Sequence, residues 1–354
     1  MTRAQREPHR TPRARPHTPW ILWLVLAAGA TIAPTPAGAG EANPMSQLRG
    51  TIVYIRGGNI WAARAATGQR VQITRDGGYR SPSMADDGTV GAVQQMGGRS
   101  HFVTITRSGR KRAFPPGELV NLISAELSPD GGLFAFVYVV VSPLSSNPAR
   151  VGLTFADRWG ADAIAGVAGR WDTFSSSYYH VRWMTNERLV LSGNGAYPYL
   201  VRGPRTGWEY DSPYMVRVPA LRDEIYDVAR NGNRMLVLGA TYRVVNIEER
   251  ITGWHAIAYR PAAAGERVEV GFSLEEMRAC AYASAPGRCV PVFVPEVGFQ
   301  LQGEPKGGAL SPDGRAFTFA DGRGVLVTEP IHSSMRAYVL DPQGSEPEWS
   351  PFQW

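Results

Sequence analysis

Leu127-Ser128-Pro129-Asp130-Gly131 returns near the other end of the chain as Leu310-Ser311-Pro312-Asp313-Gly314. Each copy runs into a short apolar strand pattern, at residues 134–137 and 316–319. A unit that returns in this way cannot bury its apolar face alone, so several copies must stack around one shared core. The repeat therefore predicts a quasi-symmetric array, on whose surface a function has to be sought.

Weaker copies of the turn accompany the two clear ones. Turn residues Asp87, Asp130, Asn186, Asn231 and Asp313 are separated by 43, 56, 45 and 82 residues, the last interval being twice 41. Six units therefore fit, with one turn hidden in the last interval. Asp-Gly and Asn-Gly suit such reversals because these residues tolerate a positive φ. The predicted structural turn residues are Asp87, Gly88, Asp130, Gly131, Asn231, Gly232, Asp313 and Gly314.

Each unit contains alternating apolar strand patterns separated by tight turns. Period-two alternation places every second side chain between neighbouring sheets. Units of about 40 to 45 residues with several strands are typical of propeller blades, whereas solenoid repeats are shorter or helical. The sequence predicts an all-β fold, a six-bladed β-propeller with about four antiparallel strands in each blade.

These repeats resemble those of TolB-like six-bladed propellers. The resemblance rests on the Ser-Pro-Asp-Gly turn before an Ala-Phe strand, and on Gly57-Gly58-Asn59-Ile60-Trp61 followed by Gln72-Ile73-Thr74-Arg75-Asp76-Gly77. It is clear at residues 50–138 and 305–354 and weak between 150 and 290. In that family a small α/β domain precedes the propeller and docks in the Tol-Pal envelope system. Here a strand pattern begins at Thr51, so we expect the propeller part only, with the N-terminal TolB domain absent.

The first 39 residues read as a secretory signal peptide. Five arginines precede an apolar run at residues 21–33, and Ala37-Gly38-Ala39 offers a cleavage site of small residues. The run is shorter than the ~20 residues that span a bilayer, and Pro34 follows it. We expect residues 1–39 to be removed and residues 40–354 to form a single propeller domain without a transmembrane span, exported to the periplasm, the exterior or the cell wall.

Charge excludes nucleic acid as a partner. The full chain has 37 basic and 31 acidic residues. Five of the basic residues and one of the acidic residues lie in the leader, residues 1–39. The exported chain is therefore close to neutral, and proteins that bind nucleic acid by charge are strongly basic.

Two cysteines, Cys280 and Cys289, remain after the leader. In an exported protein this spacing favours a disulfide that closes a small loop, with two free thiols as the alternative.

Sequence motifs of catalysis are lacking. The chain contains neither Gly-x-Ser-x-Gly nor His-Glu-x-x-His, and no Gly-rich phosphate loop. We expect no enzyme activity and no cofactor. One alternative remains, because oligogalacturonate lyases have a similar repeat and hold a metal through several histidines. A metal-dependent polysaccharide lyase or hydrolase would here use His101, His180, His255 and His332, although their spacing favours scattered structural histidines.

The middle of the chain is rich in aromatic residues. Long loops that carry aromatic rings often form recognition surfaces on rigid scaffolds. Most of these rings fit strand patterns and are expected to pack between blades. The exposed binding-surface candidates are Trp159, Trp171, Trp208 and Tyr210.

Three functions remain. The first is a monomeric, non-enzymatic scaffold that binds a protein or glycan of the cell envelope. The second is the metal-dependent polysaccharide lyase or hydrolase, and the third is a structural component of a Tol-Pal-like envelope assembly.

Overall fold

The computed structural model describes residues 44–116, 120–140, 149–159, 180–193, 196–202, 209–210, 224–230, 234–244, 247–261, 289–331 and 336–354. In these residues one 3-10 helical turn, Pro44–Gln47, precedes strands that pair antiparallel into six sheets. The described part of the chain contains no helix with the length and apolar character needed to span a bilayer.

The strands are numbered in chain order, and the sheets I to VI in the order in which they begin. Sheet I contains β1 (Thr51–Arg56), β2 (Asn59–Arg64) and β3 (Arg70–Gln72). Sheet II contains β4 (Tyr79–Met84), β5 (Val90–Met96), β6 (Arg99–Ile105) and β7 (Lys111–Phe114). Sheet III contains β8 (Val120–Leu127), β9 (Leu133–Val140) and β10 (Ala149–Phe155).

The second half of the chain follows the same plan. Sheet IV contains β11 (His180–Thr185), β12 (Arg188–Gly193), β13 (Ala196–Arg202) and β14 (Glu209–Tyr210). Sheet V contains β15 (Glu224–Val228), β16 (Arg234–Val244), β17 (Ile247–Pro261) and β18 (Cys289–Phe299). Sheet VI contains β19 (Gly308–Leu310), β20 (Phe317–Asp321), β21 (Gly324–Thr328) and β22 (Ala337–Asp341), and the last strand is β23 (Gly344–Ser350).

The two termini share sheet I. β23 pairs antiparallel with β1, placing Ser350 opposite Thr51 and Trp349 opposite Ile52, so the strand order is β23-β1-β2-β3. Strands from the first and last described parts of the chain therefore complete one sheet. Joining the chain ends in this way leaves no open edge between the first and last units.

The first strand of each sheet packs against the first strands of its neighbours. These inner strands are β23, β4, β8, β11, β15 and β19, and contacts run from each to the next and from β19 back to β23. Sheets I and IV are therefore three places apart in this order, as are sheets II and V. The all-β propeller fold predicted from the repeats is confirmed.

Apolar side chains fill the spaces between neighbouring sheets. Phe102 of sheet II packs with Phe134 and Phe136 of sheet III, with ring centroids 5.2 and 5.1 Å apart. All three rings are fully buried. This packing explains the alternating pattern of the strands, since one face of each sheet must cover the next.

The Ser-Pro-Asp-Gly turn is the same hydrogen-bonded unit in both clear copies. Ser128 Oγ donates to Asp130 Oδ1 over 2.7 Å and accepts from Leu133 N at 2.9 Å. In the second copy Ser311 Oγ donates to Asp313 Oδ1 over 2.6 Å and accepts from Ala316 N at 2.9 Å. The glycines that follow, Gly88, Gly131 and Gly314, all have positive φ, as predicted. Asn231 and Gly232 lie outside the described residues.

The predicted hidden turn between Asn231 and Asp313 does not occur among the described residues of that interval. In the described residues of that interval the strands belong to sheet V and the start of sheet VI, and none of them is a further inner strand. The interval is long because β16, β17 and β18 have 11, 15 and 11 residues. The sixth sheet comes instead from β1–β3 together with β23.

Candidate functional site

The inner strands bring one repeated sequence position to the centre of the molecule. In sheets II to V this position lies four residues before the turn Asp or Asn. In sheet I the equivalent residue is Glu348, which lies two residues before Ser350-Pro351. Glu126 lies at the same distance before Ser128-Pro129. Four of these residues are charged and form what we call the axial cluster: Glu126, Arg182, Asp227 and Glu348. The equivalent residue of sheet II is Ser83.

Arg182 lies at the centre of the axial cluster. Its Nη1 is 3.4 Å from Glu126 Oε2 and 3.3 Å from Glu348 Oε2. Glu126 belongs to sheet III, the neighbour of sheet IV, whereas Glu348 belongs to sheet I, three places away. The three side chains are only 9 to 18% exposed. One guanidinium therefore joins strands on opposite sides of the centre.

Hydrogen bonds to the next inner strand hold these side chains in place. Glu126 Oε1 accepts from Trp183 N at 3.1 Å, and Asp227 accepts from Leu310 N at 2.6 Å. Ser83 Oγ accepts from the backbone N of the next inner strand, at 2.9 Å. The same contact thus recurs at three sheet boundaries. Charged groups in such buried positions require hydrogen bonds as well as ion pairs to offset their desolvation.

The axial cluster contains three carboxylates and one guanidinium. Burial raises the pKa of Glu126 well above its ordinary value, and the neighbouring carboxylates Glu348 and Asp227 raise it further, while Arg182 opposes the shift. Burial also raises the pKa of Glu348, again against the effect of Arg182. In both glutamates the effect of burial thus outweighs that of Arg182.

We call the space surrounded by the inner strands the channel. A cavity of about 320 Å³ opens at the end of this channel where the inner strands begin. We call this opening the wide mouth. Its lining comes from β4, β8, β11, β23 and the segment before β19: Arg80, Ser81, Pro82, Ile123, Ser124, Ala125, His180, Val181, Arg182, Pro305, Lys306, Gly307, Glu346, Pro347 and Glu348. Glu348 also borders a second, smaller cavity, which Glu126 and Asp227 line as well. The axial cluster therefore lies between the two cavities and forms the floor of the wide mouth.

Two strained residues face each other across this mouth. Ser81 has φ 47° and Glu346 has φ 50°, and in the described part of the chain they are the non-glycine residues with positive φ. Ser81 N donates to Glu346 Oε2 over 2.5 Å. Both precede proline, at interruptions of the strand register where a bulge redirects the side chains. Such backbone strain is concentrated at functional sites in proteins.

A third bulge explains the position of Arg80. The register of β8 against β9 shifts between Leu122 and Ser124, and this leaves carbonyl groups of the inner strand turned towards Arg80. Arg80 donates to Leu122 O over 2.5 Å and to Ile123 O over 3.0 Å. Its guanidinium is thus bound to the wall of the mouth.

The charges of the wide mouth differ in how firmly they are held. Arg80 binds backbone carbonyls, Arg182 binds carboxylates, and Glu346 binds a backbone N–H. Burial raises the pKa of Glu346, although Ser81 and Arg80 oppose this. Lys306 is exposed, and among the described residues its ammonium has no ion-pair partner.

The opposite end of the channel holds a smaller cavity in the described residues. The cavity there has a volume of about 30 Å³, and Arg230, Pro129 and Pro312 border it. Arg230 Nη1 lies 2.8 Å from Asp86 Oδ1, which joins the end of β15 in sheet V to the turn after β4 in sheet II. Of these two cavities in the described residues, the wide mouth is the larger.

The histidines proposed as an alternative metal set are not brought together where the structure describes them. His180 lines the wide mouth, whereas His101 lies on β6, the third strand of sheet II, with its Nδ1 3.3 Å from Arg99 O. No group of three His, Cys, Asp or Glu side chains suited to a metal ion occurs among the described residues. His332 lies outside them, and His255 is described only as part of the backbone of β17.

Trp159 is half-buried. Its ring packs on the cluster between sheets II and III, with centroids 6.0 Å from Phe102 and 5.9 Å from Phe136. This packing gives Trp159 a structural role, and its proposed binding role stays a prediction. Tyr210 is described as backbone in the outer strand β14, and Trp171 and Trp208 lie outside the described residues.

The disulfide also stays a prediction. Cys289 begins β18, while Cys280 lies outside the described residues.

The axial cluster was missed in the sequence. The signal was present, because the position four residues before successive turn residues holds Ser83, Glu126, Arg182 and Asp227. A charged residue in an otherwise apolar inner strand would have pointed to the centre of the array.

Comparison with known proteins supports the fold. No protein-family model and no curated protein matches the chain. Among solved structures, TolB from Acinetobacter baumannii is similar with a TM-score of 0.52 and 11% identity, over 85% of this chain and 66% of that protein. A putative TolB from Agrobacterium tumefaciens has a TM-score of 0.46 and 12% identity, over 84% and 91%. An acylaminoacyl peptidase from Pyrococcus horikoshii has a TM-score of 0.39 and 9% identity, over 79% and 41%.

The similarity to the Acinetobacter protein concerns the propeller fold alone, given the low identity. The chain matches less than two thirds of that protein's length.

Proposed function

We propose that the protein is an exported, non-enzymatic binding scaffold of the cell envelope, a TolB-like propeller of six blades that binds its partner at the wide mouth. Six sheets in cyclic contact, with both termini in sheet I, support the six-bladed ring. The likeness to TolB supports the family resemblance seen in the repeats. The signal peptide, the Cys280–Cys289 disulfide and the monomeric state belong to this proposal.

The observation that carries the proposal is the rigid, polar construction of the wide mouth. Arg80 and Glu346 are held by backbone groups, and Arg182 is fixed between two carboxylates. Polar groups held in one geometry lower the entropy cost of binding. Since these groups already have firm partners, the arrangement favours recognition over proton transfer. A cavity of 320 Å³ lies at the lower end of the ~300–1,000 Å³ typical of ligand sites.

Site-specific photo-cross-linking tests the proposal. The full chain would carry benzoylphenylalanine at Pro305, which lines the wide mouth, or at Val71, which is 39% exposed on the outer strand β3. Each form is irradiated in an envelope extract of the cells that make the protein. We expect a saturable cross-link from position 305 that excess unmodified chain abolishes, and none from position 71. Cross-links of equal intensity from both positions, or none from position 305, would contradict binding at the mouth.

A further inference from the structure

Lys306 differs from every other cation of the wide mouth. Arg80 and Arg182 are bound to groups of the protein, whereas Lys306 is exposed and has no ion pair among the described residues. Its backbone is fixed, because Lys306 N donates to Ala320 O over 2.9 Å and Lys306 O accepts from Glu346 N. The ammonium is therefore presented from a firmly held position at the edge of the cavity.

The exposed charge of the wide mouth is positive, because Lys306 is exposed whereas the other charged residues of its described lining are only partly exposed. Its lining includes Arg80, Arg182 and Lys306 against Glu346 and Glu348. Burial raises the pKa of both carboxyls, while Arg182 opposes the shift. Clefts lined by one sign of charge concentrate ligands of the opposite sign.

The lining also bears on the class of partner. None of the described residues that line the wide mouth is Phe, Tyr or Trp. Serine, proline and charged side chains are frequent in the described part of this lining. Such a surface suits a peptide segment with an acidic group better than a sugar ring.

We infer that the wide mouth binds an acidic peptide segment of a partner protein, one carboxylate of which pairs with Lys306. This inference rests on the proposed function and names the chemistry of the ligand for the same site. The charge-assisted contact would be formed by a lysine that has no ion-pair partner among the described residues, so none of the ion pairs described has to break on binding.

The chain offers a matched control for this lysine. Lys111, the other lysine of the protein, is paired with Asp76 over 2.5 Å on the outer strand β7. Binding at the mouth should therefore change the reactivity of Lys306 and leave that of Lys111 unchanged.

The test uses a fluorescein-labelled hexaglutamate peptide with the purified full chain. Fluorescence anisotropy gives its affinity, and acylation of each lysine by an amine reagent is followed by mass spectrometry. We expect hexaglutamate to slow acylation of Lys306 at least threefold without affecting Lys111. We expect Lys306→Glu to weaken binding at least tenfold, Lys306→Arg to retain most of it, and Lys111→Ala to bind as the wild type does.

Several results would overturn the inference. Hexaglutamate that binds without protecting Lys306, or that binds Lys306→Glu with unchanged affinity, would place the contact elsewhere. Equal binding of hexaglutamine would remove the role of charge, and equal competition by trigalacturonate would point to an acidic glycan. Acylation of the wild-type chain needs no variant, so a folding defect in Lys306→Glu leaves the test decisive. A partner that cross-links at position 305 but is not displaced by hexaglutamate would sink this inference and leave the proposed function intact.

Discussion

Among single residues, Arg182 forms the ion pairs that cross the centre of the molecule. Its guanidinium binds Glu126 and Glu348 in the centre of the molecule, where all three side chains are largely buried. In such a place the attraction between charges has to offset a large desolvation cost. The ion pairs therefore affect stability most when Arg182 is lost, because two buried carboxylates then remain without this cation.

Replacement of Arg182 is expected to be strongly destabilising. Arg182→Met removes the cation and leaves Glu126 and Glu348 buried together, so the free energy of unfolding should fall by about 3–5 kcal/mol. The matched control is Arg112→Met, because Arg112 makes an exposed pair with Asp157 at 3.7 Å, and a change below about 1 kcal/mol is expected there. Urea unfolding of both variants measures the difference. Equal effects would show that Arg182 is not buried among carboxylates.

The axial cluster also predicts how stability depends on pH. Burial raises the pKa of Glu348 and of Glu126 above their ordinary value of 4.5, so the folded protein binds more protons than the unfolded chain. Their contribution to stability is therefore complete below pH 4.5 and is lost as the pH rises through the folded-state pKa. In Glu348→Gln, part of this decline should disappear, since glutamine cannot ionise. Unfolding free energies measured from pH 4.5 to 8 test this, and identical slopes for both proteins would contradict it.

Among the elements, the turns are the part that sequence predicts best. The hydroxyl of Ser128 and the carboxylate of Asp130 bind groups within five residues of one another, so the signal is local. Positive φ at the following glycine belongs to the same short motif. The axial cluster is different, because Glu126 and Glu348 are 222 residues apart and meet only once the ring has formed. The long strands of sheet V, with 11, 15 and 11 residues, likewise lack a local signal in the sequence.

Two turn glycines allow the cost of backbone strain to be measured separately from the cost of a packing clash. Gly88 and Gly109 have φ 86° and 81°, but a Cβ at Gly88 would lie 2.7 Å from the ring of Phe352, while Gly109 has open space around it. Alanine at either site costs about 1 kcal/mol for the positive φ. At Gly88 the clash should add about 1–3 kcal/mol, because Phe352 is packed against the core between sheets I and II. Thermal or urea unfolding of the two alanine variants compares them, and equal losses would mean that Phe352 does not cover this turn.

At the scale of the whole molecule, the chain forms a ring that is tied together across its centre. Sheet I joins both termini, Arg182 of sheet IV reaches Glu348 of sheet I, and Arg230 reaches Asp86 at the opposite end of the channel. The axial cluster gives the wide mouth a charged floor. The composition and repeats predicted the ring, but its binding face became visible only when residues from several inner strands were placed around one axis.

The contact across the centre is the most direct test of this architecture. A double-mutant cycle with Arg182→Met, Glu348→Gln and the combined variant measures the coupling between sheets I and IV by urea unfolding. Residues in direct contact give interaction energies of about 0.5–3 kcal/mol, whereas distant sites add within about 0.5 kcal/mol. We predict a coupling energy between Arg182 and Glu348 above about 1 kcal/mol, within the range for residues in contact. Strictly additive effects would show that these strands do not face each other, and would contradict both the closed ring and the pocket built on it.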